Sequence, residues 1–314
     1  MPRFEDFYFD SSTGVNRIHA RRCIPDGEPR GIVQIVHGIA EHINRYDDFM
    51  YFLAENGFYA VGDDHLGHGQ SIGKPEDQGF FAEEDGWNRV LDDLDTLRSL
   101  TLKECPGKPY VFFGHSMGSF LTRTYIINNP DKYDAAIISG TGQQPKPIVY
   151  AGYALANLLT KTKGPRADGT TLNNIAFGSY NDKIPDRKTE FDWLSRNEEN
   201  VRRYIDDPLC GFVAKVSLYR DMMSGIKFVT KQDNMNLMSK EHPVYFMSGD
   251  MDPVGDYGKG VEKAYKGFCK AGLHDVTMKL YPGGRHEMLN ETNREEVFGD
   301  ILNWLNEKTE NKAE

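Results

Sequence analysis

Tyr110-Val111-Phe112-Phe113-Gly114-His115-Ser116-Met117-Gly118 carries the decisive signal of this chain. Four apolar or aromatic residues run into a Gly-x-Ser-x-Gly pentapeptide, and a helical pattern begins at Met117. That order predicts a strand, a sharp turn and a helix, with Ser116 raised on the turn. The flanking glycines let such a strained backbone close, and the helix that follows points its positive end at any charge forming beside the serine.

A serine hydroxyl is a weak nucleophile at neutral pH and needs a base, with an acid to orient that base. In a strand-turn-helix of this kind the acid and base follow downstream, in that order. Of the 9 histidines, only His274 and His286 follow both Ser116 and the acidic segment that opens at Gly249. His274 opens a strand pattern, whereas His286 lies in the loop Pro282-Gly283-Gly284-Arg285-His286, so His286 is the candidate base. Gly249-Asp250-Met251-Asp252-Pro253 offers two acids. Asp252 is preferred because it lies further into the loop and Pro253 stiffens the turn; Asp250, nearer the strand, is the alternative and reads as a cap. The developing oxyanion needs two backbone N–H donors, and Ile39, in His37-Gly38-Ile39, and Met117 are the candidates.

Outward from this turn, strand patterns at Ile32–Val36, Tyr59–Gly62, Tyr110–Phe113 and Ala135–Ser139 alternate with helical ones, as in a parallel sheet covered on both faces. Phe4–Asp10 and Arg17–Ile24 read as an antiparallel lead-in. The alternation stops after Gly140 and resumes at Val244–Ser248, Val276–Tyr281 and a final helix Arg294–Leu305. The expected division is therefore a core of residues 1–140 and 240–314, interrupted by a mainly helical insertion, residues 141–239. Ile148–Leu159 is apolar almost all round, as in a helix buried at an interface or touching lipid, which makes Leu155 and Leu158 candidate substrate contacts. Met222 and Met223, with Met235 and Met238, are candidates to line a flexible apolar channel, against the plainer reading of ordinary packing.

Composition narrows the partners. A formal net charge of −10 repels nucleic acid and anionic lipid alike. The 4 cysteines are dispersed, with no metal-ligand spacing, and are expected to be free thiols of a reducing compartment. The start of the chain lacks the basic and apolar stretches of a secretory signal, and no apolar run approaches the roughly 20 residues that span a bilayer. A cytoplasmic location, with no metal or cofactor required, is the expectation; the oligomeric state is open.

Several motifs together resemble one family. His37-Gly38-Ile39-Ala40-Glu41-His42, Asp64-His65-Leu66-Gly67-His68-Gly69-Gln70-Ser71, the turn at Ser116, Gly249–Pro253 and His286-Glu287 are similar to those of monoacylglycerol lipases and bacterial lysophospholipase-like hydrolases, which share a serine-aminopeptidase-like domain. The resemblance implies an α/β-hydrolase fold, a triad of Ser116, Asp252 and His286, and an oxyanion hole at Ile39 and Met117. It also implies that residues 141–239 form a cap that sets substrate choice, with transient lipid-surface contact open to it. Monoacylglycerol, lysophospholipid or a similar acyl ester is the substrate class implied, and Asp64–Ser71 is read as structural. Two other readings stay open. An aminopeptidase would need an acidic residue in the cap, such as Glu198, Glu199, Asp206 or Asp207, to hold a free amine, and a non-catalytic relative would use the pocket for binding alone.

Overall fold

Strands buried on both faces, separated by amphipathic helices, build one eight-stranded sheet in a computed structural model that describes residues 1–310. In chain order the elements are β1 (Arg3–Asp10), β2 (Arg17–Ile24), β3 (Gly31–Val36), α1 (Asp47–Glu55), β4 (Phe58–Asp63), α2 (Gly86–Glu104), β5 (Tyr110–His115), α3 (Met117–Asn128) and β6 (Ala135–Ser139). The helices α4 (Lys146–Lys163), α5 (Thr170–Phe177), α6 (Glu198–Asp206), α7 (Val216–Val229) and α8 (Gln232–Met235) come next. The chain then returns to the sheet with β7 (Val244–Gly249), α9 (Lys259–Lys270), β8 (Val276–Tyr281) and α10 (Arg294–Glu310). The strand order is β1-β2-β4-β3-β5-β6-β7-β8; β1 with β2 and β2 with β4 are antiparallel, and every later pair is parallel.

Period-two alternation divides the central strands between two cores. Ile32, Phe112, Ile138 and Phe246 point to the side covered by α2, α3 and α9, whereas Val33, Phe113, Ile137 and Met247 point to the side covered by α1 and α10. A one-residue slip of β5 would exchange every one of its contacts, so the register is held by both faces at once. Removing one of these rings, as in Phe113→Ala, costs about 3–5 kcal/mol, because the cavity left in a close-packed core adds to the lost burial.

The segment between β6 and β7 does not pack as one piece. Leu218, Tyr219, Met222 and Val229 of α7, with Met235 and Met238 after it, are buried in the same cluster as the sheet and α2. A Cβ at Gly225 would stand 2.2 Å from the Trp87 ring, so α7 lies directly on α2 at that point. Residues 216–238 of the expected insertion, 141–239, therefore pack directly on the core layer. In α4, only Val149, Ala156 and Thr160 are buried, while Ile148 is 60% and Leu158 56% exposed. Of the two readings for this helix, burial at an interface holds for one face only: that face of α4 packs on α7, with Gly152 against Met223, and the other faces solvent.

Candidate active site

The end of β5 sets Ser116 on a backbone with φ 54° and ψ −122°, a conformation costly for any residue with a side chain. Its neighbours make it possible. A Cβ at Gly118 would fall 1.9 Å from the Val36 carbonyl oxygen, so only glycine lets α3 start this close to β3. Ser116 N–H donates to the Ser139 carbonyl at 3.0 Å, which ties the turn to β6.

His286 lies on the loop after β8 and Asp252 on the loop after β7, 34 residues apart, and the parallel pairing of those strands brings the loops together. The Asp252 carboxylate lies 3.0 Å from His286 Nδ1 and also accepts from Ser248 Oγ at 3.0 Å and Val254 N–H at 2.9 Å. With Nδ1–H donated to Asp252, Nε2 is left with its lone pair. Burial by itself would lower the His286 pKa, but the charge and hydrogen bond of Asp252 outweigh it and hold the group above the usual value of 6.5. Asp250 has other work: it accepts the Gly283 N–H at 2.7 Å and so closes the turn that leads to His286. His274 is exposed and pairs with Glu241.

Ser116 and His286 face one cavity of about 570 Å³, with Gly38 and Ile39 beside them. Its walls are aromatic, from Phe177, Phe191, Trp193, Tyr204, Phe212 and Tyr219, and its polar lining includes Asn173, Asn174, Arg187, Lys188 and Thr189. Met117 is buried at the first turn of α3. The Ile39 N–H makes no hydrogen bond among the described residues, which leaves it free for a ligand oxygen. Leu155, Leu158, Met222 and Met223 are not among the lining residues. Met222 is buried in the main core and Met223 packs on Gly152, in line with the plainer reading of these methionines as packing residues.

The loop bearing His286 is clasped by the segment before α6. His286 N–H donates to Trp193 O and Glu287 N–H to Leu194 O, and the Trp193 ring lies 5.1 Å from the imidazole. Below them, fully buried Glu291 accepts from the Arg285 and Arg196 backbone N–H groups and from Arg196 Nε.

Sequence reading missed a charged group at the cavity wall. Arg45, buried beneath Tyr204, donates to Glu287 at 2.6 Å and lies 3.8 Å from Glu41. Burial raises the Glu41 pKa, with the Arg45 charge opposing it only in part. The i,i+4 spacing of Glu41 and Arg45 was a visible hint; Glu287, 242 residues from Arg45, gave none. His42 donates or accepts at 2.8 Å with Asp207, and these two with Cys210 bring an imidazole, a carboxylate and a thiol within 4.8 Å of one another. Burial pushes the Cys210 thiol well up, which favours the neutral, non-ligating form.

A mostly parallel, helix-flanked sheet that raises a serine on the turn after its fifth strand is the α/β-hydrolase fold. Residues 27–293 match the serine aminopeptidase S33 family (Hydrolase_4), and the chain belongs to that family. Over 284 residues it is 28% identical to the monoacylglycerol lipase of Mycolicibacterium smegmatis, covering 90% of each chain. It is 27% identical over 293 residues to the monoglyceride lipase of Homo sapiens, covering 91% of this chain and 85% of the human protein. A highly thermostable carboxyl esterase from Bacillus coagulans, solved in complex with glycerol, superimposes with a TM-score of 0.91 at 30% identity, covering 98% of this chain and 99% of the esterase.

Proposed function

We propose that Ser116, His286 and Asp252 are the catalytic triad of a serine ester hydrolase whose substrate is a monoacylglycerol or a closely similar acyl ester. His286 takes the Ser116 proton as Oγ attacks the ester carbonyl; the tetrahedral oxyanion is held by the N–H groups of Ile39 and Met117. Collapse expels the alcohol, which receives its proton from His286, and leaves an acyl-serine. Water, deprotonated by His286, then releases the fatty acid and restores Ser116. The observation that carries this reading is the 3.0 Å bond from His286 Nδ1 to Asp252, with His286 facing the same cavity as Ser116.

The ester is favoured over an amide with a free amine by the likeness to monoacylglycerol lipases, and the four acids that the sequence offered for an amine lie outside the cavity. Glu198 pairs with Lys188, Glu199 with Arg203 and Asp207 with His42, and neither these nor Asp206 line the cavity. Glu41, Glu287 and Glu190 do line it; Arg45 stands between the first two, and Glu190 is exposed, so the aminoacyl amide assay below decides against or for a free amine. Among glycerol esters, the aromatic walls suit an acyl chain and the asparagines a hydroxylated head group.

Residues 141–215 act as the cap, the part through which lipid would be met. The exposed Ile148 and Leu158 of α4 and Ile175 of α5 form its apolar outer surface, with Lys146, Lys161 and Lys163 at the ends of α4. No helix among the described residues is long and apolar enough to cross a membrane, so any such contact is peripheral. Purified protein assayed on monoacylglycerols, lysophospholipids and aminoacyl amides tests the reading: monoacylglycerol should be hydrolysed with the highest kcat/KM. Aminoacyl amide hydrolysis exceeding it would overturn the substrate class.

A further inference from the structure

Two peptide groups form the loop beside Ser116, His37–Gly38 and Gly38–Ile39, and together they carry four polar groups. Three are tied down. The His37 carbonyl accepts from His65 Nε2 at 3.2 Å, the Gly38 N–H donates to Glu41 at 2.5 Å, and the Gly38 carbonyl accepts from His37 Nδ1 at 2.7 Å. The fourth is the free N–H of Ile39. Such a pattern is what a fixed oxyanion donor requires, because a donor that must reorient during reaction loses most of its value.

The protons in this network follow from its partners. His65 backbone N–H can only donate, and it donates to His37 Nε2 at 3.0 Å. His37 is therefore neutral, with its proton on Nδ1, in keeping with burial holding its pKa well below the usual range. His65 differs. Its Nε2 faces a carbonyl and its Nδ1 faces the Asp63 carboxylate at 2.9 Å, both of them acceptors. Nε2–H thus meets the His37 carbonyl, and the contact of Asp63 with Nδ1 holds the ring in the orientation that lets it do so. Both side chains are fully buried, and the His65 ring stacks on His37 at 3.9 Å between centroids. Asp63→Asn would keep this arrangement, its amide NH2 donating to Nδ1 and Nε2–H still meeting the His37 oxygen, so only loss of the ring donor, or of any partner for Nδ1, disturbs it.

We propose that His65, oriented by Asp63, is a positioning residue that holds the His37–Ile39 backbone in the geometry of the oxyanion hole. This gives a role in turnover to a motif that its glycines alone would make a shaped loop. The proposal rests on the reading of Ile39 as an oxyanion donor, and the test separates the two.

The variants are His65→Phe, which keeps the stacked ring but has no donor for the His37 carbonyl, and Asp63→Ala, which leaves the ring without a partner at Nδ1 and serves if the first does not fold. Each is assayed on p-nitrophenyl butyrate, with kcat expressed per site titrated by a fluorophosphonate, and each is measured for binding of an alkyl boronic acid, which mimics the tetrahedral adduct. Deleting an oxyanion donor costs about 10²–10³ in kcat, and loosening one costs less. The expected loss is therefore about 10- to 100-fold in kcat, with KM within about threefold and a matching loss of boronic acid affinity. Unchanged kcat per titrated site, even with a lowered Tm, overturns the proposal, as does a KM that rises in step or a boronic acid affinity that stays put. Ser116→Ala is the control: if it still turns over ester, the acyl-enzyme reading itself has failed.

Discussion

The imidazole Nδ1 of His286 lies 3.0 Å from Asp252 Oδ2, whereas Asp250, two residues earlier, bonds instead to the Gly283 N–H. The two carboxylates thus do different things, and their isosteric variants should separate. Asp252→Asn presents an amide to Nδ1 and favours the wrong tautomer, so kcat should fall by about 10⁴-fold. Asp250→Asn keeps an acceptor oxygen for the Gly283 N–H and loses only the charge on it, so stability should fall by about 1 kcal/mol at most, with most activity kept. Steady-state kinetics with a short ester checks both; equal losses would contradict the assignment.

The pH profile follows from the same pair. His286 must be neutral to accept the Ser116 proton, and Asp252 holds its pKa above 6.5. Activity should therefore fall with acid on a limb above the ordinary histidine value. In Asp252→Asn the largest raising influence is gone and burial is opposed only by the more distant Glu287 and Glu41, so the limb of the residual activity should move to lower pH. A shift in the opposite direction would show that another group sets the limb. For stability the sign is the reverse of the activity: the raised pKa makes the protonated form the one stabilised by folding. That contribution is complete below the unfolded pKa and fades as pH rises through the folded one.

Ser116→Ala should lower kcat on the order of 10⁶-fold while Tm stays close to the parent, because no side-chain bond of Ser116 supports the turn. His286→Ala should be comparably damaging, and the double variant little worse than either. Additive losses would mean that serine and histidine do not act as a unit.

Leu158→Asp should leave turnover of a short soluble ester unchanged, since Leu158 is 56% exposed and lies away from the cavity. Hydrolysis of long-chain substrate presented in vesicles should drop severalfold if α4 is the lipid-facing surface. Loss on both substrates would indicate that the helix itself had been disturbed.

Glu291→Ala removes the acceptor shared by Arg196 and the Arg285 backbone, leaving buried N–H groups unpaired under the His286 loop. A loss of about 3 kcal/mol in denaturant unfolding is expected, with increased protease cleavage near Arg196. An unchanged midpoint would show that the clasp contributes nothing net.

The division of labour between sequence and tertiary structure follows from range. The strand-turn-helix at Ser116 and the alternation of the sheet are local patterns, so composition and spacing were enough to read them, and chain order narrowed the base to two histidines. Telling Asp252 from Asp250 needed the pairing of β7 with β8, because only that contact decides which carboxylate meets the imidazole. The helix faces were less legible still. Ile148–Leu159 and the methionines of α7 have the apolarity of a substrate channel, but the same apolarity serves packing, and the contact of Gly152 with Met223 is visible only in the tertiary structure. Arg45 with Glu287, and His65 with His37, meet across 242 and 28 residues. Nothing in the spacing of such residues records their meeting, because a buried polar group finds its partner only when the sheet and the segment over it close around both.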